Sequence, residues 1–135
     1  MAFQFSTGAR NAALDAIETT IGTSAILRIR TGAAPANCAA SRTGTVLVTM
    51  TLPSDWLAAA SSGSKVKAGT WQDSSADASG TAAHFEIMDS GGTTCHMQGT
   101  LTATGGGGDM EIDNTSIATG QQVTVTAFTL TAGGA

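Results

Sequence analysis

The segment HFEIMDSGGTTCHMQ, residues 84–98, holds both histidines of the chain, one of its two cysteines and two acidic residues around a pair of glycines. Two imidazoles and a carboxylate on one patch are the parts of a zinc site or of an acid–base pair. Whether they share a patch is a question of register, because a slip of one residue moves every side chain to the other face. Pairing Asp89 with Thr93 across a Ser90-Gly91-Gly92 loop sets Ile87 opposite Cys95, Phe85 opposite Met97 and Ala83 opposite Gly99, all apolar or small. A Gly-Gly loop would instead oppose Ile87 to His96 and Phe85 to Gln98, so the longer loop, with a left-handed glycine, is expected. His84, Glu86, Met88, Thr94, His96 and Gln98 then share the other face, with Glu86 across from His96. No third histidine and no cysteine joins them, and a metal needs converged, supported ligands, so the face reads as structural, with neither metal nor cofactor expected.

Other candidates carry weaker chemistry. DMEIDN places Asp109, Glu111 and Asp113 on one face of a strand after GGGG; the spacing is not that of a calcium loop, and alternating carboxylates suit an edge strand that repels a second copy. GGGG lacks the Lys-Ser/Thr that completes a phosphate loop and reads as a turn. Asn114-Thr115-Ser116 fits a glycosylation acceptor formally and an Asx turn more simply. Trp56 and Trp71 suit sugar stacking or, preferably, the covering of a sandwich with few other large side chains. There is no G-x-S-x-G elbow and no histidine at a strand end beside a serine, so no enzyme is expected.

The elements that position these residues follow from periodicity. TGARNAALDAIETTIG sets Ala13, Leu14, Ile17 and Ile21 on one helical stripe, with Ser6 or Thr7 as N-cap and Gly22 as stop. After it the period becomes two. SAILRIRT sends Ala25, Leu27 and Ile29 inward and Ile26, Arg28 and Arg30 outward, and GTVLVTMTL alternates likewise. LPSDWLAAASSG reads as a short helical turn capped by Ser54 or Asp55, and SKVKAGTW as a strand with Lys65 and Lys67 alternating with Val66 and Ala68. In QQVTVTAFTLT the inner parity passes from Val123 and Val125 to Phe128 and Leu130, so either both faces are covered or a bulge near Ala127 changes the facing. Short strands about ten residues apart between Gly-rich turns predict a mainly β fold: an antiparallel β-sandwich or jelly roll, one domain over 1–135, with an N-terminal arm and helix over 1–22.

A chain of 135 residues can bury a real core, and with 12% charged and 4% aromatic residues that core should rest on small and β-branched side chains. A net charge of −4, with six scattered Lys and Arg, leaves no field for a phosphate backbone, so nucleic acid is excluded as a partner. MAFQFSTGARNAALDAIE lacks the pattern of an export signal and no apolar run suits a membrane span, so folding in the cytosol without membrane contact is expected. Cys38 and Cys95 lack C-x-x-C spacing and are expected as buried free thiols. Phe3 and Phe5 have no partner in their own segment and either fold back or reach a neighbouring subunit as an arm.

Over nearly everything after the first helix, notably in the strings TGAAPANCA, GTWQDSSADASGTA and NTSIATGQQVTVT, the chain resembles small proteins encoded among the virion structural genes of tailed bacteriophages and prophages. The resemblance implies a place in a virion assembled in the bacterial cytoplasm, as a capsid decoration (cement) protein bound to the major capsid protein and to itself as a homodimer or homotrimer. A tail or head-fibre component, with carbohydrate binding, is the alternative it implies. For such contacts the interface candidates are Phe3 and Phe5 on the arm, Arg28 and Arg30 on one strand, and Lys65 and Lys67 on another.

Overall fold

A computed structural model describes residues 3–134. Helix α1 (Thr7–Ile21) starts where Ser6, in extended conformation, accepts the Ala9 N–H at 3.1 Å, and stops at Gly22, whose N–H returns to the Glu18 carbonyl. Both ends lie where local sequence puts them. The helix buries Leu14 and Ile21, each worth about 2 kcal/mol, while Ala13 and Ile17 of the expected stripe stay exposed. Its inner face is therefore rotated toward Asp15 and Glu18, which reach the strand beneath.

The rest of the chain is β structure: β1 (Ile26–Thr31), β2 (Val46–Thr51), β3 (Ser64–Val66), β4 (Gln72–Asp73), β5 (Gly80–Met88), β6 (Cys95–Ala103), β7 (Met110–Ile112), β8 (Ser116–Ile117) and β9 (Val123–Thr131). They form one sheet in the order β2-β1-β5-β6-β7-β9-β3, with β4 also on β9 and β8 on β5. The sheet curls: Phe85 of β5 meets Phe128 of β9 edge to face at 5.6 Å, although two strands separate them in the sheet, and Asp77, just after β4, donates its N–H to the Leu47 carbonyl of β2. The expected mainly β, sandwich-like architecture with one short helix is what forms. It is not wholly antiparallel, because β6 and β7 run parallel, Leu101 beside Met110 and Ala103 beside Ile112.

That parallel pair needs explaining, since parallel neighbours ordinarily require about a dozen connecting residues. Here residues 104–109 suffice because the chain folds back on itself at Gly105 (φ 87°) and Gly107 (φ 80°), conformations closed to most other residues. The Glu111 carboxylate locks the fold-back by accepting both of their N–H groups, at 3.2 and 3.0 Å. The GGGG run is thus a fixed reversal, and β7 is an interior strand between β6 and β9, not the edge its alternating carboxylates suggested.

In the last strand, Glu111 pairs with Ala127 and Ile112 with Val125, leaving Thr126 bulged. The bulge is what passes the buried parity from Val123 and Val125 to Phe128. Four rings form the middle of the core, Trp56 to Trp71 at 5.9 Å, Trp71 to Phe128 at 5.5 Å and Phe128 to Phe85, so the core is not built from small side chains alone. Trp56 also corrects the expected helical turn after Pro53. Its indole donates to the Gly22 carbonyl at 2.9 Å, Leu57 bridges Lys67, and the segment runs extended.

Candidate functional site

The residue-rich hairpin departs from the expected register in an informative way. The Asp89 carboxylate accepts the N–H groups of Thr93 (3.0 Å) and Thr94 (3.3 Å), and the Asp89 N–H donates to the Thr94 carbonyl. These bonds close a loop over residues 90–93, one longer than expected, with Gly92 left-handed at φ 68°. They also hold the Asp89 carboxyl below its usual range. Met88 then pairs with Cys95 but Ile87 with Met97, so His96 is an extra residue on β6. Glu86 lies across from Gln98, not His96, and Phe85 from Gly99. The division of faces survives for His84, Glu86, Met88 and Gln98, whereas the bulge carries Cys95 onto their face and leaves His96 exposed beside Ile17 and Ile21 of the helix.

That second face is not wet. Residues 32–44, between β1 and β2, lie across it, and His84 (1% exposed) and Glu86 (0%) are enclosed beneath. Glu86 is the centre of the cluster: Arg30 Nε donates to Oε1 at 2.8 Å and Arg42 Nη1 to Oε2 at 3.1 Å. Arg42 reaches in from the covering segment and also donates to Gln98 Oε1 (3.0 Å), the Asn37 carbonyl (2.8 Å) and the Ala40 carbonyl (2.9 Å). Gln98 returns a bond to the Pro35 carbonyl at 2.7 Å. His84 Nδ1 lies 2.7 Å from the Gly32 carbonyl; that oxygen only accepts, so Nδ1 carries a hydrogen. Its buried Nε2 has no hydrogen-bond partner among the described residues. A buried carboxylate with two guanidinium partners fixes a segment firmly.

The two imidazoles and the carboxylate that the hairpin's sequence gathers do not share one patch, since His96 stands outside the cluster, and no group of three metal-ligating side chains occurs among the described residues. The carboxylates of DMEIDN serve the backbone instead: Asp109 accepts the Thr100 N–H and hydroxyl, both at 2.9 Å, and Asp113 the Thr124 N–H at 3.2 Å. Asn114 Oδ1 accepts the Ser116 N–H at 2.9 Å, the Asx turn that was expected. Trp56 and Trp71 lie in the core, so neither presents a face to a sugar.

The interface candidates divide. Phe3 and Phe5 are 85% and 55% exposed. Arg30 is turned onto Glu86, and Arg28 lies against Met88 Sδ (3.0 Å) and the Gly92 carbonyl (3.2 Å), so the outer face of β1 is largely occupied by the chain itself. Lys65 corrects the expectation of an outward strand face: it is 2% exposed, its ammonium 2.7 Å from Asp15 and 2.8 Å from Glu18, while Val66 is 48% exposed. Burial opposes the Lys65 charge, but the two helix carboxylates outweigh it and hold its pKa above the usual value. The Lys65 ammonium and the Ala60 N–H in turn hold Asp15 below its own. The signal for this was the i, i+3 pair Asp15 and Glu18 on the helix, which must face something cationic if the helix docks. Lys67 remains half-buried, with its ammonium on the Gly69 carbonyl.

Comparison of the chain with protein-family models, with curated proteins and with solved structures found no match.

Proposed function

We propose that the protein is a non-enzymatic virion structural protein of a tailed phage or prophage, a capsid decoration protein that binds the major capsid protein and itself. Beyond the sequence resemblance, one observation carries this reading: four aromatic rings form the core, yet Phe3 and Phe5 stand exposed. Phe5 shares a surface groove with Ala9 and Ala13, and the exposed apolar strip continues along the helix to Ile17. A contiguous apolar strip on a protein surface is the usual mark of a protein contact. The engagement of Glu86, Arg30 and Arg42 with one another supports a rigid scaffold over a catalyst. Cement action requires only modest contacts per copy, because a lattice offers many sites and each subunit can bridge neighbours.

The test is co-sedimentation of the purified protein with shells assembled from the major capsid protein of the same phage. Saturable binding is expected, weakened roughly tenfold or more in a Phe3→Ser/Phe5→Ser variant whose thermal unfolding is unchanged. A wild-type chain that stays in the supernatant at every concentration overturns the reading. Equal binding by the variant overturns the role of the strip.

A further inference from the structure

Two local devices bring the two cysteines of this chain together from distant parts of the sequence. On the sheet, the extra residue His96 turns Cys95 away from Phe85 and Ile87 and onto the face that residues 32–44 cover. In the covering segment, Asn37 nucleates a turn: its Oδ1 accepts the N–H groups of Ala39 (2.9 Å) and Ala40 (3.0 Å), and its carbonyl accepts that of Ala40 (3.2 Å). Cys38 is the first residue inside that turn. Arg42 ties the two sides, with Nη2 on the Asn37 carbonyl at 2.8 Å and Nη1 3.4 Å from Cys95 Sγ. The Gln98 bond to Pro35 holds the segment down on the other side. Through the Arg42 guanidinium, Cys95 Sγ is thus held next to the turn that carries Cys38, and both thiols are free and half-buried.

We propose that Cys38 and Cys95 form a redox pair, which a small-molecule disulfide such as oxidised glutathione converts to an intramolecular disulfide that fastens residues 32–44 over the buried Glu86. One protein thiolate attacks glutathione disulfide, giving a mixed disulfide and releasing one glutathione. The second protein thiol, on losing its proton, displaces the other glutathione. Two S–H bonds of the protein are lost and one S–S bond forms, while two electrons and two protons pass to glutathione. Burial first, then the contact with Cys38, raises the Cys95 thiol to about 12, which slows the step in which Cys95 gives up its proton. Both positions are anchored before any bond forms, Cys38 by the Asn37 turn and Cys95 by its place on β6.

The experiment uses the intact chain, incubated with oxidised glutathione and then denatured for thiol titration and intact-mass measurement. The expected result is loss of both titratable thiols, a mass lower by two hydrogens with no glutathione retained, and a Tm raised by roughly 10 °C. Dithiothreitol should reverse all three, and Cys38→Ser should show no rise in Tm. Persistence of both thiols, arrest at a stable glutathione adduct, or a disulfide-linked dimer on a non-reducing gel would each overturn the proposal.

Discussion

Cys95 pairs with Met88, one step out of phase with the Ile87–Met97 pair beside it, because His96 is bulged from β6. The phase change decides which side of the hairpin each group serves. Without it, Cys95 would face the aromatic core with Phe85; with it, the sulfur lies under Arg42 and next to Cys38. A β-bulge re-aims a side chain at the expense of a ladder bond, and here the re-aimed group belongs to the cluster that anchors residues 32–44.

Replacing Glu86 by Gln should reveal how far that segment depends on the carboxylate. Arg30 and Arg42 would keep their places against a neutral group inside the protein, and a loss of roughly 3 kcal/mol is expected. Urea unfolding should show a lower midpoint at an unchanged slope. Arg42→Ala should cost less overall and, with the pins to Asn37 and Ala40 gone, open residues 32–44 to thermolysin.

Alkaline pH should destabilise the protein in two stages. Cys95 is raised on folding from 9.0 to about 12, so its contribution is complete below pH 9.0 and disappears as pH rises from there toward 12. Lys65 is raised above 10.5 by Asp15 and Glu18; its contribution is present below that value and lost as pH climbs through the higher, folded one. A Tm profile should start to fall near pH 9.0 in the wild type, later in Cys95→Ala, and with its upper stage removed in Lys65→Met.

Acid should act through the hairpin. The Asp89 carboxyl is lowered on folding by the Thr93 and Thr94 N–H groups, so it stabilises above its unfolded value of 3.8 and that help is lost as pH falls through the folded one. Asp89→Asn is expected to flatten the acid limb of the Tm profile, and amide exchange at Thr93 and Thr94 should quicken.

Gly99→Ala should be costly for its size. An added Cβ would come within 2.8 Å of both Asp109 Oδ2 and Phe85 Cε1, where the carboxylate caps Thr100 and the ring packs on Phe128. Overpacking of this kind costs roughly 2 kcal/mol, measurable by chemical denaturation.

Much of this architecture was legible because it is local. Ser6 and Gly22 bracket the helix, and two-residue alternation marks the strands and separates Phe85 and Ile87 from His84 and Glu86. What escaped depends on partners remote in sequence. A carboxylate bonded to two amides set the loop one residue longer, and the bulge at His96 followed. Lys65 turned inward because a helix fifty residues away carries its counter-charges. By alternation alone the second face of β5 is an ordinary polar one, whereas residues 32–44 cover it. The parallel pairing of β6 with β7 rests on Glu111 capping the fold-back at Gly105 and Gly107, a bond that alternation does not encode.

Strand β9 joins β3, β4 and β7, three segments that are otherwise apart, and it follows all of them in the chain. Until β9 emerges from the ribosome the earlier strands wait with open edges, so the nascent chain stays vulnerable to misassembly up to that point. A stop codon before Val123 should therefore give aggregates, not a smaller soluble protein.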